Sequence, residues 1–108
     1  MHWPLSRVAV AERSMEPALL PGDWLLAWRG VRPRRPPHVR PGQIVIARNP
    51  AEPGMLLVKR AVRRVPEGWW LESDNPAAGA VDSRSFGPVP VGLIHARVLL
   101  RYWPHRSG

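Results

Sequence analysis

The stretch "MLLVKRAVRR", Met55 to Arg64, holds the only lysine of the chain; the other fifteen of its sixteen basic residues are arginine. Its apolar residues alternate, which is the period of a strand. With Met55–Val65 extended, Leu57, Lys59 and Ala61 share one face, and Val58, Arg60, Val62 and Arg64 share the other. A lysine flanked by apolar neighbours has two readings. In one, desolvation lowers its pKa and leaves a neutral amine able to take a proton, a role closed to arginine. In the other, its stem packs on the sheet and its amine reaches out to water.

The same alternation recurs along the chain. Strands are expected near Arg7–Ala11, Trp24–Trp28, Gln43–Arg48, Met55–Val65, Trp69–Glu72 and Leu93–Trp103. Turn signals separate them: "PGD" at Pro21 to Asp23, "PGQ" at Pro41 to Gln43, then "NPAEPG" and "PEG". Only "SMEPALL" has helical character, and Pro17 limits it to a turn or two. The expected fold is mostly β: an antiparallel sheet with short helical turns. Residues 1–108 suffice for a single small domain around one modest core.

The formal net charge of +8 suits an anionic partner. Yet Arg, Ala, Pro and Trp abound while Thr is absent, a pattern that a biased genome would produce without selection for binding. Arg32, Arg34, Arg35 and Arg40 fall within a Pro/Arg-rich segment at 30–42, which reads as a solvated loop. Cysteine is absent, excluding disulfides and thiolate catalysis. No apolar run reaches the length of a membrane span, and Arg7 interrupts any signal-peptide core. The expected location is therefore cytoplasmic. His2, His38, His95 and His105 lack metal-ligand spacing, so neither a metal nor another cofactor is expected.

A general base implies a nucleophile, and the candidates are Ser6, Ser14, Ser73, Ser83, Ser85 and Ser107. Ser14 follows a strand and opens the turn "SMEPALLPGD". Free backbone N–H groups at such a turn can hold a developing oxyanion. The alternative is that Ser14 is only an N-cap, for which Glu16 and Pro17 are suitable followers.

Taken together, "SMEPALLPGDWLL" (Ser14 to Leu26), "LLVKRAV" (Leu56 to Val62) and "SDNPAAGAVDSRSFGPVP" (Ser73 to Pro90) resemble, in order, three boxes of the signal peptidase I superfamily. That resemblance implies a β-rich serine endopeptidase with a Ser-Lys dyad, lysine standing where histidine serves in other serine enzymes. The wording "DNP…DSRSFGPVP" and the ending "ARVLLRYWP" are most similar to the nickel-type superoxide dismutase maturation proteases, which remove an N-terminal propeptide. By this resemblance the substrate is a protein, the nickel superoxide dismutase precursor, with no nucleic acid and no membrane span involved.

The resemblance implies Ser14 as nucleophile, with its backbone N–H in the oxyanion hole, and Lys59 as base. Met15 and Pro17 would fix the nucleophile turn, Asp74 and Asn75 open the third box, and Asp82, Ser83 and Arg84 would shape the site behind the lysine. Four features depart from the pattern. Glu12 stands where a second oxyanion hydroxyl is usual. Ala80 replaces the serine that orients the lysine. Ser73 replaces the glycine before Asp-Asn, and the segment between Asn75 and Asp82 is one residue longer.

Two rivals remain. Self-cleaving repressors share the dyad, but need a scissile Ala-Gly or Cys-Gly before the nucleophile, and Ala78-Gly79 comes after Lys59. A basic nucleic-acid-binding β module would use six tryptophans as stacking platforms. Against it, Trp24, Trp28 and Trp70 lie in apolar strand patterns, where core filling is expected.

Overall fold

The computed structural model describes residues 3–30 and 35–103. Residues 31–34 of the Pro/Arg-rich segment, with Arg32 and Arg34, lie outside the described residues, as do His2, His105 and Ser107.

Six strands form one sheet: β1 (Leu5–Ala9), β2 (Trp24–Trp28), β3 (Ile44–Asn49), β4 (Glu52–Val65), β5 (Gly68–Glu72) and β6 (Ile94–Trp103). Their order is β1-β2-β6-β3-β4-β5, and every pairing is antiparallel. A one-turn helix, α1 (Ser83–Phe86), and two short 3-10 turns complete the described elements. The fold is thus mostly β with few helical pieces, as the alternation predicts.

β1 begins and ends two residues before the expected Arg7–Ala11. Val10 still pairs, donating to Asp23 O at 2.7 Å and accepting from Gly22 N at 2.8 Å, after which the chain leaves the sheet toward Ser14. The expected helical turn there is a set of hydrogen-bonded turns, with Leu19 N on Met15 O at 2.9 Å. Pro17 has no N–H to extend them. Beneath this segment Val10, Met15, Leu19 and Leu25 form a buried cluster. Each of the larger side chains contributes about 1.5–3 kcal/mol by leaving water.

The tryptophan assignment needs correction. Trp24 is 39% exposed, Trp28 and Trp70 are half-buried, and the residue that enters the core is Trp69, beside Val45, Leu71, Val89 and Ile94. Trp70 instead lies on the outer face of β5, where its ring takes the Arg63 guanidinium at 4.8 Å and its Nε1 donates to Glu72. In a pair of adjacent tryptophans only one can face the core of a strand.

The β4–β5 hairpin sets the partner of the lysine. Near the turn Val65 pairs with Gly68 and Arg63 with Trp70, but a bulge shifts the register so that Ala61 pairs with Leu71 and Arg60 with Glu72. One step further, this register sets Lys59 opposite Ser73. Gly68 is required at the turn: its φ is +144°, and a Cβ there would lie 2.0 Å from Val89 O.

Candidate active site

β4 carries the lysine inward. Leu57, Lys59 and Ala61 are buried while their neighbours Val58, Arg60 and Val62 are only partly so, and Lys59, 1% exposed, heads the fully buried side chains by size. Val45 faces it from β3. Burial pushes its amine below the ordinary 10.5, against the raising fields of the Asp82 and Glu12 carboxylates, and Arg84 lowers it further.

Ser14 is 6% exposed and sits at the turn after β1. Ser14 and Lys59 line one cleft of about 180 Å³. One wall is Val8 to Glu12, and the other is Leu56 to Lys59. Among the described residues the hydrogen bond of the Lys59 amine runs to Ser73 Oγ, at 2.9 Å, and not to Ser14. Catalytic hydrogen bonds commonly tighten only when substrate is present.

The third box braces both residues. Asn75 donates from its backbone to Ser14 O at 2.8 Å and from Nδ2 to Arg13 O at 3.1 Å. Asp74 N donates to Met15 Sδ at 3.4 Å, and the Asp74 carboxylate takes two hydrogen bonds from Arg60, at 2.6 and 3.2 Å. Arg60, on the opposite face of β4 from the lysine, thereby ties the strand to the same corner. Pro17 is exposed.

Behind the lysine, Asp82 caps α1 by accepting Arg84 N at 2.9 Å, accepts Ser73 N at 2.9 Å, and pairs with the Arg84 guanidinium at 2.8 Å. Burial raises its carboxyl, but the Arg84 side chain and the two backbone N–H groups outweigh that and hold it at about 2. Ser83 Oγ accepts Leu71 N at 2.8 Å, fastening α1 to β5.

Of the residues singled out in the sequence, Ser14 and Lys59 line the same cleft, and Met15, Asp74, Asn75, Asp82, Ser83 and Arg84 form the frame around them. Ser73 was visible in the sequence as one of six candidate nucleophiles and as a departure from glycine, not as a partner of the lysine. Its position opposite Lys59 depends on the bulge, for which no residue pattern is diagnostic. Glu12 does line the cleft, so a carboxylate shares it with Ser14 and Lys59.

The Peptidase S24-like family matches residues 5–86. Among curated proteins, mitochondrial inner membrane protease subunit 1 of Xenopus tropicalis is 35% identical over 89 residues, covering 64% of this chain and 53% of that protein. Its Homo sapiens counterpart is 32% identical over 114 residues, covering 84% and 65%. The mitochondrial ATP-independent inner membrane protease subunit 1b of Arabidopsis thaliana is 36% identical over 117 residues, covering 87% and 68%. The chain spans about half to two thirds of the length of these relatives.

These similarities overturn the cytoplasmic location expected from the sequence, since the relatives are named for the mitochondrial inner membrane. That expectation rested on the lack of an apolar span. Among the described residues no helix is long and apolar enough to cross a membrane, which does not fix where a protein works.

Proposed function

Because this chain belongs to the Peptidase S24-like family, we propose that it is a signal-peptidase-like serine endopeptidase working through a Ser14–Lys59 dyad. The observation that carries this reading is a fully buried lysine sharing a cleft with a serine at a turn. In its neutral form, which burial favours, Lys59 takes the proton of Ser14 as Oγ attacks the scissile carbonyl. The backbone N–H of Ser14 holds the oxyanion, and Lys59 then gives its proton to the leaving amine. Water, activated by the same amine, hydrolyses the acyl-enzyme. The cleft runs between the end of β1 and the outer part of β4, two stretches of extended chain. A substrate segment lying there in extended form would find backbone partners and an apolar floor.

The substrate is a precursor protein. The names of the relatives support a substrate presented at a membrane over the nickel superoxide dismutase precursor, which only the wording of the third box and of the C-terminal strand favours. The test is incubation with a peptide library and, separately, with a dismutase precursor, followed by sequencing of new N-termini, with Ser14→Ala as control. Cleavage of library peptides that Ser14→Ala abolishes supports the broad reading. Cleavage confined to the dismutase propeptide would restore the narrow one, and no Ser14-dependent cleavage of either would overturn both.

A further inference from the structure

We propose that Ser73 is the positioning residue that orients the Lys59 amine, supplying the hydroxyl that Ala80 lacks. The inference rests on the dyad reading and names a residue that the three-box pattern does not assign. Three observations support it. Ser73 Oγ accepts from Lys59 Nζ at 2.9 Å, both residues being buried. The β4–β5 ladder ends with Arg60 opposite Glu72, and its continuation by one residue brings Ser73 to Lys59, so the contact is in line with the strand register. Ser73 itself is clamped: Asp82 accepts its N–H at 2.9 Å and Arg84 Nη2 donates to its O at 3.4 Å.

The chemistry explains why a hydroxyl belongs there. A lysine amine rotates freely about its last bond, and a general base must aim its lone pair at the nucleophile. One hydrogen bond donated to a fixed acceptor removes much of that freedom without adding a charge. A carboxylate in the same place would hold the amine protonated. The bulge in β4 avoids this outcome. Continued unshifted, the pairing of Arg63 with Trp70 would set Lys59 opposite Asp74, whereas the actual register gives Lys59 the neutral Ser73 and leaves Asp74 to Arg60. The charged groups that act on the amine are then Asp82 and Arg84 from the third box and Glu12 from the nucleophile turn, while Val45, Leu57 and Ala61 add no charge.

The single lysine makes the test direct. Protein labelled with 13C at lysine Cε gives one lysine side-chain signal, whose shift reports the protonation of Lys59 with or without activity. Ser73→Ala and Ser73→Gly keep the backbone N–H that Asp82 holds, and either one that folds serves. Loss of the acceptor withdraws a hydrogen bond from the ammonium form. The lysine titration, and with it the acid limb of the rate profile, should move about one pH unit lower. Above both limbs kcat should fall about tenfold or more with KM little changed, and Ser73→Thr, which keeps a hydroxyl, should recover most of it.

An unmoved titration with kcat unchanged in Ser73→Ala would overturn the positioning role while Ser14→Ala and Lys59→Met, both inactive, keep the dyad. Full activity in Lys59→Met would instead overturn the dyad, and this inference with it.

Discussion

Asp82 Oδ2 lies 2.9 Å from the backbone nitrogen of Ser73, so the carboxylate that pairs with Arg84 also fixes the residue facing Lys59. Structural and catalytic demands meet on this one side chain. Asp82→Ala strands two N–H donors, those of Ser73 and Arg84, and should cost on the order of 2 kcal/mol in urea denaturation. Activity should fall further than stability explains, because the partner of Lys59 is no longer held.

The same carboxylate predicts acid behaviour. Its native pKa of about 2 lies below the unfolded value near 3.8. Its contribution is therefore present above pH ~4 and lost as the pH falls through ~2. Arg84 is half-exposed, so water screens the pair and the amount lost is roughly 1–2 kcal/mol. Comparing wild type with Asp82→Asn should show the gap between their stabilities closing over that window.

Lys59 predicts a slope of the same sign in a more alkaline range. Its native pKa is depressed below the ordinary 10.5, so the unfolded chain binds protons more readily. Lowering the pH from above the unfolded value toward the native one costs stability through this group. Lys59→Met should remove that cost, stabilise the protein by on the order of 1 kcal/mol near neutral pH, and abolish cleavage. Lys59→Arg should also be inactive, because a guanidinium keeps its proton. Thermal melting and single-turnover assays check both variants.

Much of this was legible in the sequence, and the limits have physical reasons. Period-2 alternation in "LLVKRAV" gave the strand and the buried face of Lys59, because a strand packed on one side must alternate. The same rule misplaced the tryptophans: "WW" at Trp69 and Trp70 offers two registers, and only pairing with β4 chooses between them. The contact of Ser73 with Lys59 was hidden for a related reason. A bulge is a property of two strands in contact, and the residues around Val62 do not announce it. The cytoplasmic location failed differently, since the absence of an apolar span describes a chain and not its address.

Gly68 tests the hairpin that sets this register. An alanine there would place Cβ against Val89 O, breaking the reciprocal Trp69–Val89 hydrogen bonds at 2.8 Å. Gly68→Ala should cost about 3 kcal/mol or more, a fall in Tm of roughly 12–20 °C. Gly22→Ala has open space around its Cβ and should cost only the strain of its positive φ, about 1 kcal/mol.

Glu12 offers a gain of function. Its carboxylate lines the cleft and favours protonated Lys59. Glu12→Ser removes that field and adds a donor where an oxyanion would form. Cleavage should rise about tenfold or more, a fraction of what one such donor is worth in serine proteases. Its acid limb should move to lower pH. Initial rates on one library peptide suffice to check this.

Whether neutral Lys59 activates Ser14 is decided by the pH dependence of cleavage. The rate of hydrolysis of a good library peptide is followed from about pH 5 to 10, beside the 13C titration of the single lysine. With Lys59 as the base, the rate rises with pH, and its limb coincides with the lysine titration and lies below 10.5. A profile that is flat from about pH 6 to 9, or a limb that rises where the lysine signal does not move, would contradict that role.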